Sequence, residues 1–213
     1  MYELLHALGA HACVSCDDAP AEGFLGGRLC AGCAAELAAP VRDIPTPVCL
    51  RTARALGRYA GPLGALVRHA KYRGDLGIAS GLAGALTRDA PPDGVTAVVP
   101  VPTTFWRRTW RGGHFAESLA QAVAASWGLP VLHALRRVDG APQASLGRRA
   151  RRTNARGAFA ASRAVDGDLL LVDDVVTTGA TASACAQALL LAGARSVRLV
   201  AVASTDATIV RDS

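Results

Sequence analysis

Residues 169–181 constrain the fold of this chain more than any other stretch. The stretch begins with four apolar residues, which predict a buried strand, because strands of a parallel sheet are apolar on both faces. Two adjacent carboxylates, Asp173 and Asp174, follow that strand, and a short loop then leads into a helix predicted over 180–192. Since parallel α/β sheets hold ligands beyond the carboxyl ends of their strands, we expect a ligand site at this edge.

The loop after the carboxylates has the composition of a phosphate-binding turn. Backbone N–H groups at a helix start, flanked by the hydroxyls of Thr177, Thr178 and Thr181, favour an anion there. The two carboxylates suit a ribose diol or a Mg²⁺-bound polyphosphate. An ordinary strand–turn–helix capped by Thr or Asp is the alternative. The strand is followed by neither a Walker-type Gly-x4-Gly-Lys-Ser/Thr nor a Gly-x-Gly-x-x-Gly, which excludes both of those phosphate loops.

Cysteines form a second pattern near the start of the chain. Two Cys-x2-Cys pairs are separated by a spacer of 13 residues. Two such pairs, each on a tight turn, can complete a closed tetrahedral zinc site, which makes the metal structural. Disulfides are the alternative, and an intracellular protein disfavours them. We predict a small four-cysteine module resembling a zinc ribbon, and we expect Cys49 and Cys185 to be packed residues and not ligands. The predicted zinc ligands are Cys13, Cys16, Cys30 and Cys33.

The rest of the chain is predicted to form one α/β domain. Prolines at 40, 45 and 47 predict a linker, so we divide the chain into a zinc-binding module with its linker at 1–45 and a second domain at 46–213. Alternating strands and helices after residue 95 predict a doubly wound parallel sheet with helices on both faces. The other predicted elements are strands at 55–59, 96–101, 130–135 and 197–203, helices at 62–72, 76–88 and 114–127, and a polar loop at 138–156.

Membrane insertion is not indicated by the sequence. No apolar run has the length of a membrane span, and the first residues lack the basic and apolar regions of a secretory signal. These observations favour a cytoplasmic protein without a membrane span.

Positive charge is concentrated between residues 103 and 163, which hold eleven arginines and two carboxylates. The densest part, 148–156, could neutralise a pyrophosphate, follow a nucleic-acid backbone, or form a solvated face. Lys71 is the single lysine of the chain, and its compact ammonium differs chemically from a guanidinium. Its isolation marks it as a candidate functional residue, with chance as the alternative.

Several of these segments together resemble one protein family. Residues 169–181 match the thirteen-residue signature of type I phosphoribosyltransferases, which bind phosphoribosyl pyrophosphate (PRPP). With the cysteines, the chain resembles the ComF (competence protein F) family of double zinc ribbon and phosphoribosyltransferase-like proteins over nearly its full length. Further motifs that carry the resemblance are Val99-Pro100-Val101-Pro102, Arg111-Gly112-Gly113, Gln143, Leu146, Arg152, Asn154 and Gly157-Ala158-Phe159.

The resemblance implies roles for individual residues. Asp173 and Asp174 would meet the ribose hydroxyls, directly or through Mg²⁺. Lys71 matches the family's lysine before Tyr-x-Gly, and Arg111 matches the arginine of its Arg-Gly-Phe-Asn motif, here Arg-Gly-Gly-His. The implied substrate contacts are Val176, Thr177, Thr178, Gly179, Ala180 and Thr181 for the 5′-phosphate, Pro102, Thr103 and Thr104 for the pyrophosphate, and Arg152 and Asn154.

The resemblance also implies a part in natural transformation, the uptake of DNA and its passage to recombination, with competence and recombination proteins as partners. One function left open is a Mg²⁺-dependent phosphoribosyltransferase with an unidentified acceptor. The other is a non-catalytic sensor of PRPP or nucleotides, or an adaptor for single-stranded DNA. For the adaptor, Phe105, Trp106 and Trp110 between arginines could stack bases. The oligomeric state stays open.

Overall fold

A five-stranded sheet forms the centre of the protein in a computed structural model that describes residues 12–17, 21, 28–73, 76–102, 115–138 and 158–205. Its strands are β1 (Arg42–Asp43), β2 (Ala53–Arg58), β3 (Val95–Pro100), β6 (Asp168–Val176) and β7 (Ser196–Ser204). Their order across the sheet is β1-β2-β7-β6-β3. The strand β1 is antiparallel to its neighbour, and the other four strands are parallel. A separate antiparallel pair joins β4 (Leu135–Arg137) and β5 (Phe159–Ala161).

Helices cover both faces of the sheet. The described helices are α1 (Ala31–Ala35), α2 (Gly61–Arg73), α3 (Leu76–Leu86), α4 (Phe115–Trp127) and α5 (Ala180–Leu191). The first four share a buried cluster with Leu170 and Val200 on one sheet face, and α5 packs with Leu171 and Leu199 on the other. Because successive strand residues point to opposite faces, β6 and β7 supply both clusters. This architecture confirms the predicted α/β class with a mostly parallel sheet and helices on both faces.

The apolar run of the signature strand is fully buried in the sheet. Residues 169–172 are all 1% exposed or less. Full burial of such side chains stabilises the fold by about 1.5–3 kcal/mol each. The central position of β6, between β7 and β3, explains why its sequence is apolar on both faces.

The same strand is longer than the sequence predicts. We expected it to end before the carboxylates, but β6 continues to Val176 and therefore contains both Asp173 and Asp174. The reason is pairing with β7, where Asp173 lies opposite Ala201 and Val176 lies opposite Ser204. Hydrogen bonds from the neighbouring strand outweigh the low strand preference of aspartate.

The strand predicted at 130–135 is wrong. Val131 forms only an isolated bridge with Val98, framed by hydrogen bonds from Val98 N–H to the carbonyl of Pro130 (2.9 Å) and from Leu132 N–H to that of Val98 (2.8 Å). After this bridge the chain leaves the sheet, and Leu135 begins β4, which pairs with β5 instead. Most of the polar loop predicted at 138–156 lies outside the described residues.

The cysteine module shares the buried core on one face of the main sheet. Cys13, Leu29 and Cys30 belong to the same buried cluster as Leu63 and Leu66 of α2. The chain then enters the sheet edge, because β1 pairs with β2 and Ile44 N–H donates to the carbonyl of Ala53 at 3.0 Å. The domain boundary at 45/46 stays a prediction. Within the described part of the chain, no helix is long and apolar enough to cross a membrane.

Candidate functional site

Two adjacent carboxylates, which interact with each other, lie near the carboxyl end of β6. Asp174 contacts Lys71 of α2, on the sheet face covered by the larger helical layer, which consists of α1 to α4. Asp173 lies on the side of α5, where burial and the negative charge of Asp173 together raise the pKa of the Cys185 thiol. Beyond each other, the two carboxylates therefore contact different helices.

Lys71 and Asp174 form an ion pair across α2 and β6. The distance from Lys71 Nζ to Asp174 Oδ2 is 2.8 Å, and the side chains are 34% and 13% exposed. Sequence reasoning selected both residues but did not predict that they touch. The contact places an ammonium beside the carboxylates at the edge of the sheet where the sequence predicts a ligand.

Asp173 sits in a less favourable environment for a charge. Burial, together with the charge of Asp174, raises the pKa of Asp173 to about 7. The opposing influences are the Asp174 backbone N–H, which donates to Asp173 Oδ1 at 2.8 Å, and the positive charge of Lys71. A cation held between the two carboxylates would favour the charged form of Asp173. Their oxygen ligands fit Mg²⁺, which prefers carboxylates.

The predicted phosphate loop connects β6 to α5. Val176 is buried at the end of the strand, whereas Thr177, Thr178 and Thr181 are exposed. Gly179 has φ 69° and immediately precedes α5. Glycine has no side chain to cap the helix, so N–H groups in the first turn of α5 remain available to bind an anion. One of them, Ala180 N–H, donates a long hydrogen bond to Thr178 Oγ1 at 3.4 Å.

Pro47 packs directly against this loop. A Cβ built on Gly179 would lie 2.6 Å from Pro47 Cγ and 2.8 Å from Pro47 Cβ. The sequence analysis interpreted Pro47 only as part of a linker and missed this contact. A glycine at position 179, which leaves space for a close neighbour, was the one local indication of it. Pro47 also begins a turn, since its carbonyl accepts the N–H of Leu50 at 3.3 Å. Cys49, which we expected to be packed, is exposed, because that turn holds it at the surface with φ 70°.

The other predicted site residues are only partly described. Pro102 follows β3 at the same edge of the sheet, where Val101 N–H donates to the carbonyl of Val172 at 3.0 Å. The remaining predictions fall outside the described residues: Thr103, Thr104, Arg111, Arg152 and Asn154, together with the aromatic residues Phe105, Trp106 and Trp110.

The four predicted zinc ligands come together. The sulfur atoms of Cys13, Cys16, Cys30 and Cys33 all lie within 4.8 Å of one another, and those of Cys16 and Cys30 are 3.9 Å apart. A tetrahedral site with Zn–S bonds of about 2.3 Å separates its sulfurs by about 3.8 Å. The donor set and its spacing therefore fit a structural zinc ion.

Electrostatics within the cysteine cluster are uneven. Burial opposes a charge on Cys13, but backbone N–H groups of Cys16, Cys30 and Ser15 outweigh it and lower the pKa of Cys13 to about 6. Burial and the neighbouring thiols raise the pKa of Cys33 to about 12. The Cys13 thiolate thus forms readily, and its negative charge disfavours ionisation of Cys33. A divalent cation would relieve the repulsion between such thiolates.

Sequence comparison identifies the relatives of this chain, although no family model matches it. The DNA utilization protein YhgH of Salmonella typhi is 32% identical over 153 residues, and that of Salmonella typhimurium is 33% identical over 158 residues. The YhgH protein of Escherichia coli K12 is 31% identical over 153 residues. The chain belongs to the ComF family. The matches cover 66% of this ComF-family chain and 66% of each relative.

Solved structures similar to this ComF-family chain are more distant. One is the glutamine PRPP amidotransferase of B. subtilis complexed with ADP and GMP, at 20% identity and a TM-score of 0.42 over 58% of this chain and 25% of that chain. Another is described as the allosteric regulatory enzyme of purine biosynthesis, at 16% identity and a TM-score of 0.39 over the same shares.

Proposed function

We propose that this protein binds PRPP with Mg²⁺ at the carboxyl edge of its sheet and serves DNA utilization as a phosphoribosyltransferase whose acceptor is unidentified. The observation that carries the proposal is the continuous path from Asp173 and Asp174 in β6 through the Gly179 turn to the first residues of α5. Along this one strand–loop–helix unit, the carboxylates that could bind a ribose come first, and the N–H groups that could bind a phosphate follow. The relatives named DNA utilization protein support the wider process.

In this proposal the residues act by positioning and by charge. Asp173 and Asp174 would hold the ribose hydroxyls and Mg²⁺, and the bound ion would offset the negative charge of the phosphates. The loop from Thr177 to Thr181 would donate to the 5′-phosphate. Arg111 and the arginines of 148–156 would neutralise the pyrophosphate as it leaves C1 of the sugar. Lys71, which touches Asp174 directly, would keep that carboxylate oriented.

Calorimetry tests the pocket. PRPP with Mg²⁺ should bind the wild-type protein saturably, and the double variant Asp173→Asn/Asp174→Asn should lose that binding. The matched control is Asp43→Asn, since Asp43 is 74% exposed and pairs only weakly with Arg54 Nε, at 3.4 Å, on another edge of the sheet. Absence of wild-type binding would overturn the proposal.

A second assay separates transfer from sensing. Release of pyrophosphate from PRPP should depend on the presence of one acceptor among a panel of bases and amines. A protein that binds PRPP and releases no pyrophosphate with any of them would be a sensor and not a transferase.

A non-catalytic adaptor for single-stranded DNA is the second candidate. It is favoured by the relatives, which are named DNA utilization protein, and by the eleven arginines between residues 103 and 163. Binding to phosphates releases counterions, so the affinity for labelled single-stranded DNA should fall steeply with salt. Affinity that is absent, or that does not change between two salt concentrations, argues against the adaptor.

A further inference from the structure

The cysteine cluster shares its buried core with the helix that carries Lys71. Cys13 and Cys30 are 1% and 9% exposed, and they belong to one buried cluster with Leu63 and Leu66 of α2. The other two cysteines are partly buried and pack against the same cluster. The cysteine module is therefore part of the packing that holds α2 in place.

Lys71 lies on α2 five residues beyond Leu66, which is ~7.5 Å along the helix axis. Its ammonium contacts Asp174 Oδ2 at 2.8 Å, so the position of α2 sets the distance between this charge and the carboxylates. Because a helix is a rigid element, a displacement of α2 at its contact with the cysteine module also displaces Lys71. This is one route from the cysteines to the proposed PRPP site.

The chain that follows the cysteine module provides a second route. Val41 is buried in the same cluster as the cysteines, whereas Ile44, three residues later, is buried in the cluster on the α5 face. That second cluster includes Val176 and Ala182, which flank the predicted phosphate loop. The strand β1, which lies between Val41 and Ile44, has two exposed residues and adds little packing of its own. The course of this segment therefore depends on the two clusters that it joins.

Pro47 extends the second route to the loop itself. Its ring packs so closely that a Cβ on Gly179 would lie 2.6 Å from Pro47 Cγ. Val48 and Cys49, which follow in the same turn, are exposed, so the support for the loop comes from Pro47. A shift of residues 44–47 would therefore change the loop that is proposed to hold the 5′-phosphate.

We propose that zinc in the cysteine cluster regulates the PRPP site, so that zinc and PRPP bind with positive cooperativity. The inference rests on the proposed binding of PRPP. A zinc ion joins residues 13–16 to residues 30–33, and without it the two cysteine pairs lose their cross-link. The module then loosens against α2 and against residues 41–44. Zinc and PRPP favour the same arrangement of Lys71 and Pro47, so by linkage each strengthens the binding of the other by the same factor.

Competition for zinc tests the coupling on the zinc-loaded full chain. The zinc-binding dye 4-(2-pyridylazo)resorcinol is titrated at constant Mg²⁺, and the dye concentration that removes half of the zinc is measured. Saturating PRPP should raise that concentration roughly fivefold or more. In the double variant Asp173→Asn/Asp174→Asn, PRPP should leave it unchanged, which also corrects for zinc bound by free PRPP.

Single substitutions test the two routes separately. Pro47→Ala removes the ring atoms that meet Gly179 and should at least halve the effect of PRPP on the dye concentration. The matched control Val48→Ala changes the exposed neighbour in the same turn and should keep the full effect. Lys71→Met tests the route through α2 in the same way, with the exposed Arg68→Met as its control. A full effect of PRPP in both Pro47→Ala and Lys71→Met would overturn the proposal.

Zinc-free protein separates the coupling from a loss of the fold. At low temperature the chelated chain should keep most of its far-ultraviolet circular dichroism and should bind PRPP more weakly, by the same factor of roughly five. A chain that unfolds as a whole without zinc, or that binds PRPP as tightly as the loaded chain, would overturn the proposal.

The same titrations distinguish this inference from the proposed function. Loaded wild type that binds PRPP while the dye concentration stays unchanged would refute the coupling and leave the proposed function intact. Absence of PRPP binding to the loaded wild type would instead refute the proposed function itself.

Discussion

Lys71 Nζ lies 2.8 Å from Asp174 Oδ2, so the single lysine of the chain is bonded to one of the two carboxylates of its signature strand. The lysine comes from α2 and the aspartate from β6, which are far apart in sequence. The larger helical layer thus contributes a charged group directly to the carboxyl edge of the sheet.

Removing this ammonium should weaken the proposed PRPP site. Lys71→Met should lower PRPP affinity roughly tenfold, because Asp174 loses the charged partner that orients it. Isothermal titration with PRPP and Mg²⁺ measures the change. Arg68→Met is the control, since Arg68 is an exposed cation on the same helix. Equal affinities of Lys71→Met and wild type would contradict the role of the pair.

A side chain at position 179 should lower the stability of the fold. Gly179→Ala should destabilise the protein by roughly 1–3 kcal/mol, since its φ of 69° disfavours other residues and the new Cβ would overlap Pro47. Urea unfolding measures the loss. Gly84→Ala is the control, because Gly84 lies in α3 with no atom within 4 Å of an added Cβ, and it should stabilise by up to about 1 kcal/mol.

A double variant isolates the contact with Pro47. Pro47→Gly combined with Gly179→Ala should recover part of the lost stability, because the ring that meets the new Cβ is gone. If the effects of the two substitutions on the free energy of unfolding were strictly additive, the destabilisation by Gly179→Ala would come from the backbone conformation alone.

The charge of Asp173 should make stability depend on pH. Its pKa is about 7 in the folded protein, raised by burial and by Asp174, and about 3.9 in an unfolded chain. Its contribution to stability is therefore fully present below about pH 4 and is lost as the pH rises through 7. In metal-free buffer, Asp173→Asn should melt above wild type at pH 8, and the difference should shrink toward pH 5. Thermal unfolding across this range tests it, with Asp43→Asn as the control, and a difference independent of pH would contradict the assignment.

Metal content should follow the four clustered cysteines. Metal analysis should find one zinc ion per chain, and Cys30→Ser should lose it together with thermal stability, because Cys30 is both a predicted ligand and part of the buried core. Cys49→Ser should keep the metal, since Cys49 is exposed and outside the cluster. Zinc retained by Cys30→Ser, or a metal-free wild type, would contradict a structural zinc site.

Local patterns in the sequence were sufficient for the fold class and much of the site. The apolar run before Asp173 predicted the central strand, and the spacing of the cysteines predicted their cluster. The signals were strong because burial in a parallel sheet and metal ligation each demand particular residues at fixed spacing.

Contacts between distant segments could not be predicted in the same way. The isolation of Lys71 marked it as unusual, but its pairing with Asp174 depends on how α2 lies across the sheet. The extension of β6 through the carboxylates depends on the neighbouring β7, and the contact of Pro47 with Gly179 depends on the path of the chain after β1. Each of these features is tertiary, and local preference does not encode it.

The different helix neighbours of Asp173 and Asp174 have a consequence for motion. One carboxylate stands among residues of the α2 side and its neighbour among residues of the α5 side. A molecule held by both would restrain the two helical layers from one point on the central strand. Amide exchange in α2 and in α5 would then slow together when that molecule binds, even though the two helices lie on different faces of the sheet.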